Sequence, residues 1–366
     1  GNPTRVNDKM LSFTYERRFE SHPAYTELWG IRKSIREMNG RIRKGSHIER
    51  ENMRNRISHL RDRATELEIL INEALFSSTR VVASTLVSSN HRILNGRRFS
   101  TLFIDEAAQA LEAACWIAIR KADRVIFAGD HCQLPPTIKC IEAARGGLDH
   151  TLMEKVVANK PISVSLLKVQ YRMNESIMRF PSEWFYNNQL ESAPEIRQRG
   201  ILDFDTPMIW IDTSEMECHE EFVGESFGRI NKPEANLLLQ ELESYIQKIG
   251  ENRVLDEQID FGLISPYKAQ VQYLRNKIKS NSFFRRFRPL ITVNTVDGFQ
   301  GQERDVIFIS LVRANESGQI GFLNDLRRMN VAITRARMKL VILGNATTLT
   351  KHTFYHKLME YIQKQF

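Results

Sequence analysis

Short apolar runs alternate with amphipathic stretches along most of this chain of 366 residues. Two of the runs, Thr101 to Ile104 and Arg124 to Ala128, enclose a helical pattern from Ala107 to Lys121. This order of strand, helix and strand is typical of a parallel sheet. Both runs end in acidic loops, and ligands of parallel sheets bind beyond the carboxyl ends of the strands. The loops are therefore the first candidates for a functional site.

The alternation continues through the second half of the chain and predicts a second parallel α/β domain. Gly146 and Gly147 mark the predicted linker, after which come a strand and loop from Pro161 to Met173 and a helix from Asn174 to Asn187. Further strands are predicted at Met208 to Asp212, Phe261 to Ser265, Leu290 to Val296, Val306 to Val312 and Lys339 to Gly344. Further helices are predicted at Lys232 to Ile249, Tyr267 to Ser280 and Asn324 to Arg337.

Two apolar stripes with spacings of three and four precede the first sheet residues and predict an antiparallel helical hairpin. Each arm would be about 30 Å long at 1.5 Å per residue. The break between the arms is predicted at Gly45 and Ser46, and a buried strand is predicted from Thr79 to Leu86. The stripes consist of Leu28, Ile31, Ile35, Met38 and Ile42, then Met53, Ile57, Leu60, Ala64, Leu67 and Ile71.

Composition narrows the class of protein. The chain is 42% hydrophobic and 26% charged, as in globular proteins. No apolar run approaches the roughly 18 residues that span a bilayer, so no membrane partner is expected. The four cysteines form no CxxC pair, which indicates a reducing compartment and predicts neither a zinc module nor a disulfide framework. A monomer in the cytoplasm, or in the nucleus of a eukaryote, is expected.

The net charge of +8 is concentrated near the start of the chain. Residues 1–100 hold 19 Lys and Arg against 11 Asp and Glu, whereas the remaining 266 residues hold 33 of each. A basic region beside a neutral core favours a polyanionic partner such as nucleic acid. The alternative is an ordinary solvated surface, because arginines of the hairpin are interleaved with Glu and could form a self-solvating coiled coil.

Five segments in this order resemble the superfamily 1 helicases, within them the branch of the nonsense-mediated-decay helicase and senataxin. The resemblance covers most of residues 79–346 and implies two RecA-like parallel-sheet domains. Residues 1–149 would form the first domain, with the hairpin inserted at residues 23–76, and residues 150–366 the second. The segments are DEAAQ (Asp105 to Gln109), GDHCQLPPT (Gly129 to Thr137), QYRMN (Gln170 to Asn174), VNTVDGFQGQERDVI (Val293 to Ile307) and GFLNDLRRMNVAITRAR (Gly321 to Arg337).

The resemblance implies ATP and Mg²⁺ as cofactors and assigns catalytic roles. Asp105 would bind Mg²⁺, Glu106 would activate water, and Gln133 would sense the γ-phosphate or the attacking water. Arg172 and Arg335 match the family arginines that reach the γ-phosphate, a role that suits a planar, permanently charged fork.

Other family positions surround the nucleotide. Tyr171 matches the aromatic that stacks on the adenine, although a core tyrosine is an alternative. Gly301 and Glu303 lie in the loop that approaches the ribose and triphosphate, and Gly298 and Gly301 suit a tight backbone approach. Arg337 is assigned a structural role.

The resemblance also implies a groove for single-stranded DNA or RNA. Ser265, Pro266, Tyr267 and Thr295 would lie along it, where hydroxyl and backbone groups can bind phosphates and an aromatic ring can stack on a base. The cluster Phe283 to Arg288 is either a further stacking and phosphate surface or a packed loop with a basic rim. The family branch implies movement from 5′ to 3′.

One family motif is missing, because no Gly-Lys pair occurs in the chain and GxxxxGK[ST] should precede DEAAQ. That loop is the main anchor of the β- and γ-phosphates. The first domain is therefore expected to be incomplete. We expect the chain to be a fragment that is inactive alone, and its parent protein to be an ATP-dependent helicase or translocase. Two alternatives remain open: a pseudo-helicase that binds nucleic acid without turnover, and an α/β enzyme of small ligands unrelated to nucleic acid.

Overall fold

The computed structural model describes residues 6–41, 47–224 and 228–365. They form two compact units, one of residues 1–104 and 112–126 and one of residues 105–111 and 127–366. Within the described ranges, no helix is long and apolar enough to cross a membrane. The boundary expected at residue 149 stays a prediction.

Four α-helices and a two-stranded sheet make up most of the described part of the first unit. The long helices have the predicted apolar stripes, and Leu28, Leu67 and Ile71 pack with Phe19 in a small core. The predicted break at Gly45 and Ser46 lies outside the described residues. The elements are α1 (Tyr15–Glu20), α2 (Tyr25–Arg41), α3 (His47–Ser77), β1 (Phe99–Ile104), α4 (Glu112–Ile119) and β2 (Ala122–Phe127), and β1 pairs with β2.

Part of the basic surface of α2 and α3 is neutralised by acidic side chains between the helices. Arg32 Nη2 lies 2.6 Å from Glu68 Oε1, and Arg63 Nε lies 2.9 Å from Glu27 Oε1. Helix α3 has 31 residues, which corresponds to about 46 Å rather than the expected 30 Å. The ion pairs of Arg32 with Glu68 and of Arg63 with Glu27 favour a self-solvating coiled coil for the part of the surface that they occupy.

The prediction of a strand from Thr79 to Leu86 is wrong. The segment is irregular, and the Val81 side chain is 83% exposed. A strand is stabilised by hydrogen bonds to a neighbouring strand, and in the described part of the chain β1 and β2 pair only with each other. The valines therefore have the composition of a strand without a partner that could bury them.

A five-stranded parallel sheet with the order β5-β11-β10-β8-β9 organises the second unit and confirms the predicted parallel α/β domain. The first elements are α5 (Ile141–Ala143), α6 (Leu152–Asn159), β3 (Val169–Gln170), α7 (Glu175–Phe185), β4 (Glu191–Ser192), β5 (Met208–Asp212), β6 (Glu221–Val223) and β7 (Gly228–Ile230). The others are α8 (Lys232–Ile249), α9 (Glu251–Asp256), β8 (Phe261–Ser265), α10 (Lys268–Ser280), β9 (Ile291–Thr295), β10 (Arg304–Ser310), α11 (Leu326–Ile333), β11 (Ala336–Gly344), α12 (Ala346–Leu349) and α13 (Thr353–Gln363).

Two apolar clusters bury the sheet, and alternate residues of β10 enter one or the other. Ile307 and Ile309 pack with α7, α11 and α13 side chains, whereas Val306 and Phe308 pack with those of α8 and α10. Burial on both faces explains why these strands are nearly continuous apolar runs in the sequence. It also fixes the strand ends, where the polar residues lie.

Gly262 is the point where β8 leaves least room. A Cβ there would lie 2.5 Å from Ile307 Cδ1 and 2.9 Å from Phe299 Cε1. We predict that Gly262→Ala lowers the free energy of unfolding by about 1 to 3 kcal/mol, because overpacking forces neighbours out of their rotamers. Urea unfolding followed by circular dichroism measures the change.

Gly200→Ala is the matched control for Gly262→Ala. Its new Cβ would meet only Leu202 O, at an ordinary 3.7 Å, so a change within about 0.5 kcal/mol is expected. Equal losses in the two variants would contradict this account of the packing around β8.

Candidate functional site

The DEAAQ segment leaves β1 through a constrained turn. Glu106 has φ 51° and ψ 39°, a left-handed conformation that costs a non-glycine residue about 1 to 3 kcal/mol. Asp105 Oδ1 accepts the Glu106 amide at 3.0 Å, and Gln109 Nε2 donates to Glu106 Oε2 at 2.5 Å. Both carboxylates are exposed. The turn therefore holds two adjacent carboxylates at the end of β1, as the sequence predicts.

The helix predicted from Ala107 to Lys121 begins later than expected. A single 3₁₀ turn covers Ala107–Gln109, and α4 starts only at Glu112 because the backbone at Ala110 is extended. The DEAAQ residues consequently form a loop of their own rather than the first turn of a helix.

The second loop, GDHCQ, packs directly on the first. Ala107 N donates to Ala128 O at 2.9 Å. A Cβ at Gly129 would lie 3.0 Å from Ala107 N, so a glycine is needed for this approach. The two loops are thereby held together by main-chain contacts.

Asp130 organises the GDHCQ loop. Its Oδ1 accepts the Cys132 amide at 2.9 Å, and its Oδ2 accepts Gln133 Nε2 at 2.7 Å and the Tyr186 hydroxyl at 2.5 Å. The amide of Gln133 is therefore oriented, with its Nε2 toward Asp130 and its Oε1 facing away. That oxygen accepts a hydrogen bond from Arg335 Nη2 at 3.3 Å.

Arg335 is buried, with 2% of its surface exposed. Among the described residues no carboxylate accepts a hydrogen bond from its guanidinium, although the charges of Glu303 and Glu106 lie near enough to favour its charged form. Burial, together with the nearby charge of Arg172, lowers its pKa to about 10. A buried charge of this kind is costly unless an anion compensates it. Its hydrogen-bond acceptors are all neutral: Val331 O, Gln302 O, Gln133 Oε1 and Thr334 Oγ1.

Arg172 and Arg337 share one carboxylate. Arg172 Nε donates to Glu303 Oε2 at 2.5 Å, and Arg337 Nε donates to Glu303 Oε1 at 2.9 Å. Burial alone would raise the pKa of Glu303, but the hydrogen bonds from the two arginines outweigh it and lower the pKa. Arg337 also pairs with Asp305 at 3.2 Å. In this conformation Glu303 therefore binds arginines, and its role toward a ribose stays a prediction.

Tyr171, Gly298 and Gly301 are the other positions that the resemblance places near the nucleotide. Tyr171 is 66% exposed, so its ring presents a face on which a base could stack. Gly301 has φ +73°, a conformation that favours glycine, and a Cβ at Gly298 would collide with the Asn294 side chain at 2.4 Å. The two glycines are thus required for different reasons, one conformational and one steric.

The residues predicted to bind nucleic acid lie at the carboxyl ends of β8 and β9, where Ser265 and Thr295 are partners in register. Ser265, Pro266 and Tyr267 are buried, and Thr295 is half-buried. Tyr267 is 4% exposed and packs against Phe322 with ring centroids 5.6 Å apart, so its ring offers no stacking face here. Side-chain contacts with a strand at these positions therefore stay a prediction.

The cluster Phe283 to Arg288 has the features of the packed-loop alternative. Phe284 and Phe287 are fully buried, and Arg286 pairs with Glu251 at 3.1 Å. Its aromatic rings serve the core rather than a stacking surface.

A buried polar network stands beside the same edge of the sheet, and we name it the Glu234 network: Asn231, Glu234, Gln270 and Ser310. Glu234 Oε1 accepts the Ser310 hydroxyl at 2.5 Å and the Val312 amide at 2.9 Å. Asn231 Nδ2 donates to Val312 O at 3.2 Å. Val312 has φ 71°, rare for a β-branched residue. The network therefore holds a strained turn at the end of β10.

Tyr186 and Asn330 join the site without having been predicted. Tyr186 follows α7 and Asn330 lies in α11, and they contact each other at 2.8 Å. Asn330 had a signal, since it is a polar residue within the apolar stretch MNVAI of a recognised motif. Tyr186 had none, because aromatic residues surround it in the sequence.

Two sets of residues offer ligand atoms for a cation. The exposed oxygens of Asp105 and Glu106 are of the kind that Mg²⁺ prefers. Ligand atoms of Asp130, His131 and Cys132 lie within 4.8 Å of one another. However, Asp130 already accepts three hydrogen bonds, and burial, with the charge of Asp130, raises the pKa of the Cys132 thiol to about 11. The chemistry therefore favours Asp105 and its neighbour.

Comparisons with known proteins agree with this arrangement of motifs. Two family models, both described as AAA domain, match residues 1–140 and 148–347. An uncharacterised ATP-dependent helicase of Methanocaldococcus jannaschii is 32% identical over an alignment that covers 99% of this chain and 58% of the relative.

Two eukaryotic relatives are similar over less of their own length. DNA-binding protein SMUBP-2 of Mesocricetus auratus is 34% identical over 90% of this chain and 34% of the relative. A regulator of nonsense transcripts 1 homolog of Drosophila melanogaster is 35% identical over 78% of this chain and 24% of the relative. The chain thus spans 58% or less of the length of these three curated relatives.

Glu234 predicts a pH dependence of stability. Complete burial raises its pKa from 4.5 to about 7, so the folded state holds the proton more tightly than the unfolded state. Stability is therefore greatest below about pH 4.5 with respect to this group, and falls by about 3 kcal/mol as the pH rises to about 7. The difference in unfolding free energy between wild type and Glu234→Gln, measured by urea at several pH values, should follow this course.

Glu243→Gln, on the same helix, controls for the general effect of removing one carboxylate. A wild-type minus Glu234→Gln difference that does not change between pH 4.5 and 7 would contradict the raised pKa.

Arg335 predicts an unusual response to substitution. We expect Arg335→Met to keep the free energy of unfolding within about 1 kcal/mol of wild type, because it replaces a buried charge that forms no ion pair with an apolar chain of similar length. Arg337→Met should cost about 1 to 2 kcal/mol, since it leaves Glu303 and Asp305 without a shared partner. Urea unfolding of both variants compares them, and a larger loss for Arg335→Met would refute the charge argument.

Proposed function

This chain belongs to the AAA-domain family and, within it, to the superfamily 1 helicases of the nonsense-mediated-decay helicase and senataxin branch. From this membership and from the geometry of the site, we propose that it is part of an ATP-driven helicase or translocase. The substrate is proposed to be single-stranded DNA or RNA. The protein is proposed to act as a monomer, to move from 5′ to 3′, and to reside in the cytoplasm or nucleus.

The observation that carries this proposal is the buried guanidinium of Arg335, which contacts Gln133 and has only neutral acceptors among the described residues. A buried guanidinium without an ion-pair partner can bind an anion, and the Arg172 side chain adds a second positive charge close to it. A γ-phosphate that binds here would meet two arginines and an oriented amide. Arginines in such positions contribute on the order of 10³ to 10⁵ in turnover.

The remaining roles follow from chemistry and resemblance. Asp105 would hold Mg²⁺, which would neutralise charge on the phosphates. Glu106 would orient and deprotonate the attacking water, and its strained backbone fits a residue whose position matters more than its conformational energy. Tyr171 would stack on the adenine, with Gly301 and Glu303 beside the ribose and triphosphate.

Contacts with the strand are proposed at the carboxyl edge of the sheet, around Ser265, Pro266, Tyr267 and Thr295. Their burial favours binding by main-chain groups at the strand ends over stacking by Tyr267. The relatives named as DNA-binding protein and as regulator of nonsense transcripts support a nucleic-acid partner.

Turnover is proposed to require a phosphate-binding loop in addition to this chain. The proposal expects the same protein to carry GxxxxGK[ST] in a further segment, and we define the extended protein as this chain joined to that segment. The chain alone should hydrolyse no ATP. The extended protein should hydrolyse it, with a rate that rises when oligo(dT) or oligo(U) is added, as measured by phosphate release.

Glu106→Gln in the extended protein is the control, because it removes the base and keeps the size of the side chain. It should abolish hydrolysis and retain binding of both ATP and the oligonucleotide. Strand binding without any hydrolysis by the unsubstituted extended protein would favour the pseudo-helicase alternative and defeat the proposal.

A further inference from the structure

The half-buried Tyr186 and the fully buried Asn330 connect the loop of Gln133 with the helix that precedes Arg335. The Tyr186 hydroxyl donates to Asp130 Oδ2 at 2.5 Å. Asn330 Nδ2 donates to the Tyr186 oxygen at 2.8 Å and to Cys132 O at 2.9 Å. The connections run from α7 and α11 to the GDHCQ loop, so three separate segments of the second unit meet here.

We propose that Tyr186 and Asn330 are positioning residues that fix the Gln133 amide relative to the Arg335 guanidinium. The inference rests on the proposed ATP hydrolysis and deepens it, because it names side chains that act on the reaction without touching the nucleotide.

The reason begins with Arg335. All its partners are neutral, and Gln133 Oε1 is the one that belongs to the GDHCQ loop. Gln133 presents this oxygen to Arg335 while its Nε2 donates to Asp130 Oδ2 at 2.7 Å, which fixes the orientation of the amide. The orientation of one amide thus decides whether Arg335 meets an acceptor or a donor.

Asp130 can hold that amide only if its own carboxylate does not rotate. Oδ1 is fixed by the Cys132 amide, and Oδ2 is shared by Gln133 and the Tyr186 hydroxyl. Burial and the neighbouring Asp130 charge raise the pKa of Tyr186, so the phenol keeps its proton and remains a donor. Tyr186 therefore adds a third hydrogen bond to the Asp130 carboxylate, on the same oxygen that binds Gln133.

Asn330 links this arrangement to Arg335 through the main chain. Both amide hydrogens are donated, one to Tyr186 and one to the Cys132 carbonyl. Thr334 Oγ1, one residue before Arg335, donates to Asn330 O at 2.7 Å. Asn330 is fully buried, and its Oδ1 has no hydrogen-bond partner among the described side chains and backbone. A buried polar residue with an unsatisfied atom is expensive for stability, which favours a role in the site.

Tyr186→Phe in the extended protein tests the inference with the loss of a single oxygen. We expect kcat for ATP to fall at least about tenfold, because misplacement of catalytic groups by about 1 Å can cost about a hundredfold, while KM changes less than about twofold. Tyr245→Phe is the matched control, since Tyr245 also donates to an aspartate, Asp205, at 2.7 Å but has no contact with the site residues. It should leave kcat unchanged.

A double-mutant cycle separates positioning from general damage. In a Gln133→Ala background, Tyr186→Phe should lower kcat no further, because the group that it positions is gone. Tyr245→Phe should have the same small effect in both backgrounds. Additive losses from Tyr186→Phe and Gln133→Ala would overturn the inference.

Asn330→Asp gives a second variant of nearly unchanged size. It replaces the Nδ2 donor with an oxygen that faces the Cys132 carbonyl oxygen, so the hydrogen bond between them is lost. We expect kcat to fall, and the loss not to be additive with that of Tyr186→Phe. If Asn330→Asp does not fold, the double-mutant cycle of Tyr186→Phe with Gln133→Ala still tests the inference.

The outcomes distinguish this inference from the function beneath it. Absence of hydrolysis by the unsubstituted extended protein would defeat the proposed function. Hydrolysis that Gln133→Ala impairs and Tyr186→Phe leaves intact would preserve the function and refute the positioning role alone.

Discussion

The parallel pairing of β10 with β8 on one side and β11 on the other is the constraint on which both polar regions depend. Val306 to Ile309 align with Phe261 to Ile264, and Val306 to Ser310 with Lys339 to Leu343. Because the strands run in the same direction, residues before them collect at one edge of the sheet and residues after them at the other. Glu303 and Arg335, which directly precede β10 and β11, belong to the first edge, and Ser265 with Thr295 to the second.

This arrangement explains how a buried charge can be tolerated. Arg335 lies immediately before β11, where the backbone is fixed by the apolar clusters on both faces of the sheet. The core supplies stability that offsets the cost of burying this guanidinium, and its neutral hydrogen-bond acceptors orient it without forming an ion pair. The contrast with Arg337, two residues later and paired with two carboxylates, shows that position in the sheet alone does not set the charge balance.

The sequence was most informative where a residue pattern has one physical solution. Strands β5 and β8 and helix α8 have the predicted bounds, because buried parallel strands and a capped amphipathic helix leave distinct patterns. Thr79 to Leu86 failed because strand formation depends on a partner that the local pattern cannot reveal. DEAAQ was recognised as a motif, but its 3₁₀ turn was not, since four of its five residues suit a helix as well.

The residues of the site also fall into those that the sequence revealed and those that it did not. Asp105, Glu106, Gln133 and Arg335 could be identified from motifs, whereas Tyr186 could not, because its hydroxyl matters only through a contact with a residue 56 positions earlier. The burial of Tyr267 was equally invisible, since its surroundings include Phe322 from a distant motif. Long-range contacts of single atoms leave no periodic pattern in a sequence.

The left-handed backbone of Val312 gives the Glu234 network a further meaning. A glycine would adopt this conformation freely, whereas a valine adopts it only under restraint. The backbone of this turn is therefore strained as long as the network is intact. The amide and carbonyl of this one residue are the points of restraint. The conformation at the end of β10 therefore depends on these two hydrogen bonds, and loss of either would remove a restraint on the strained backbone of Val312.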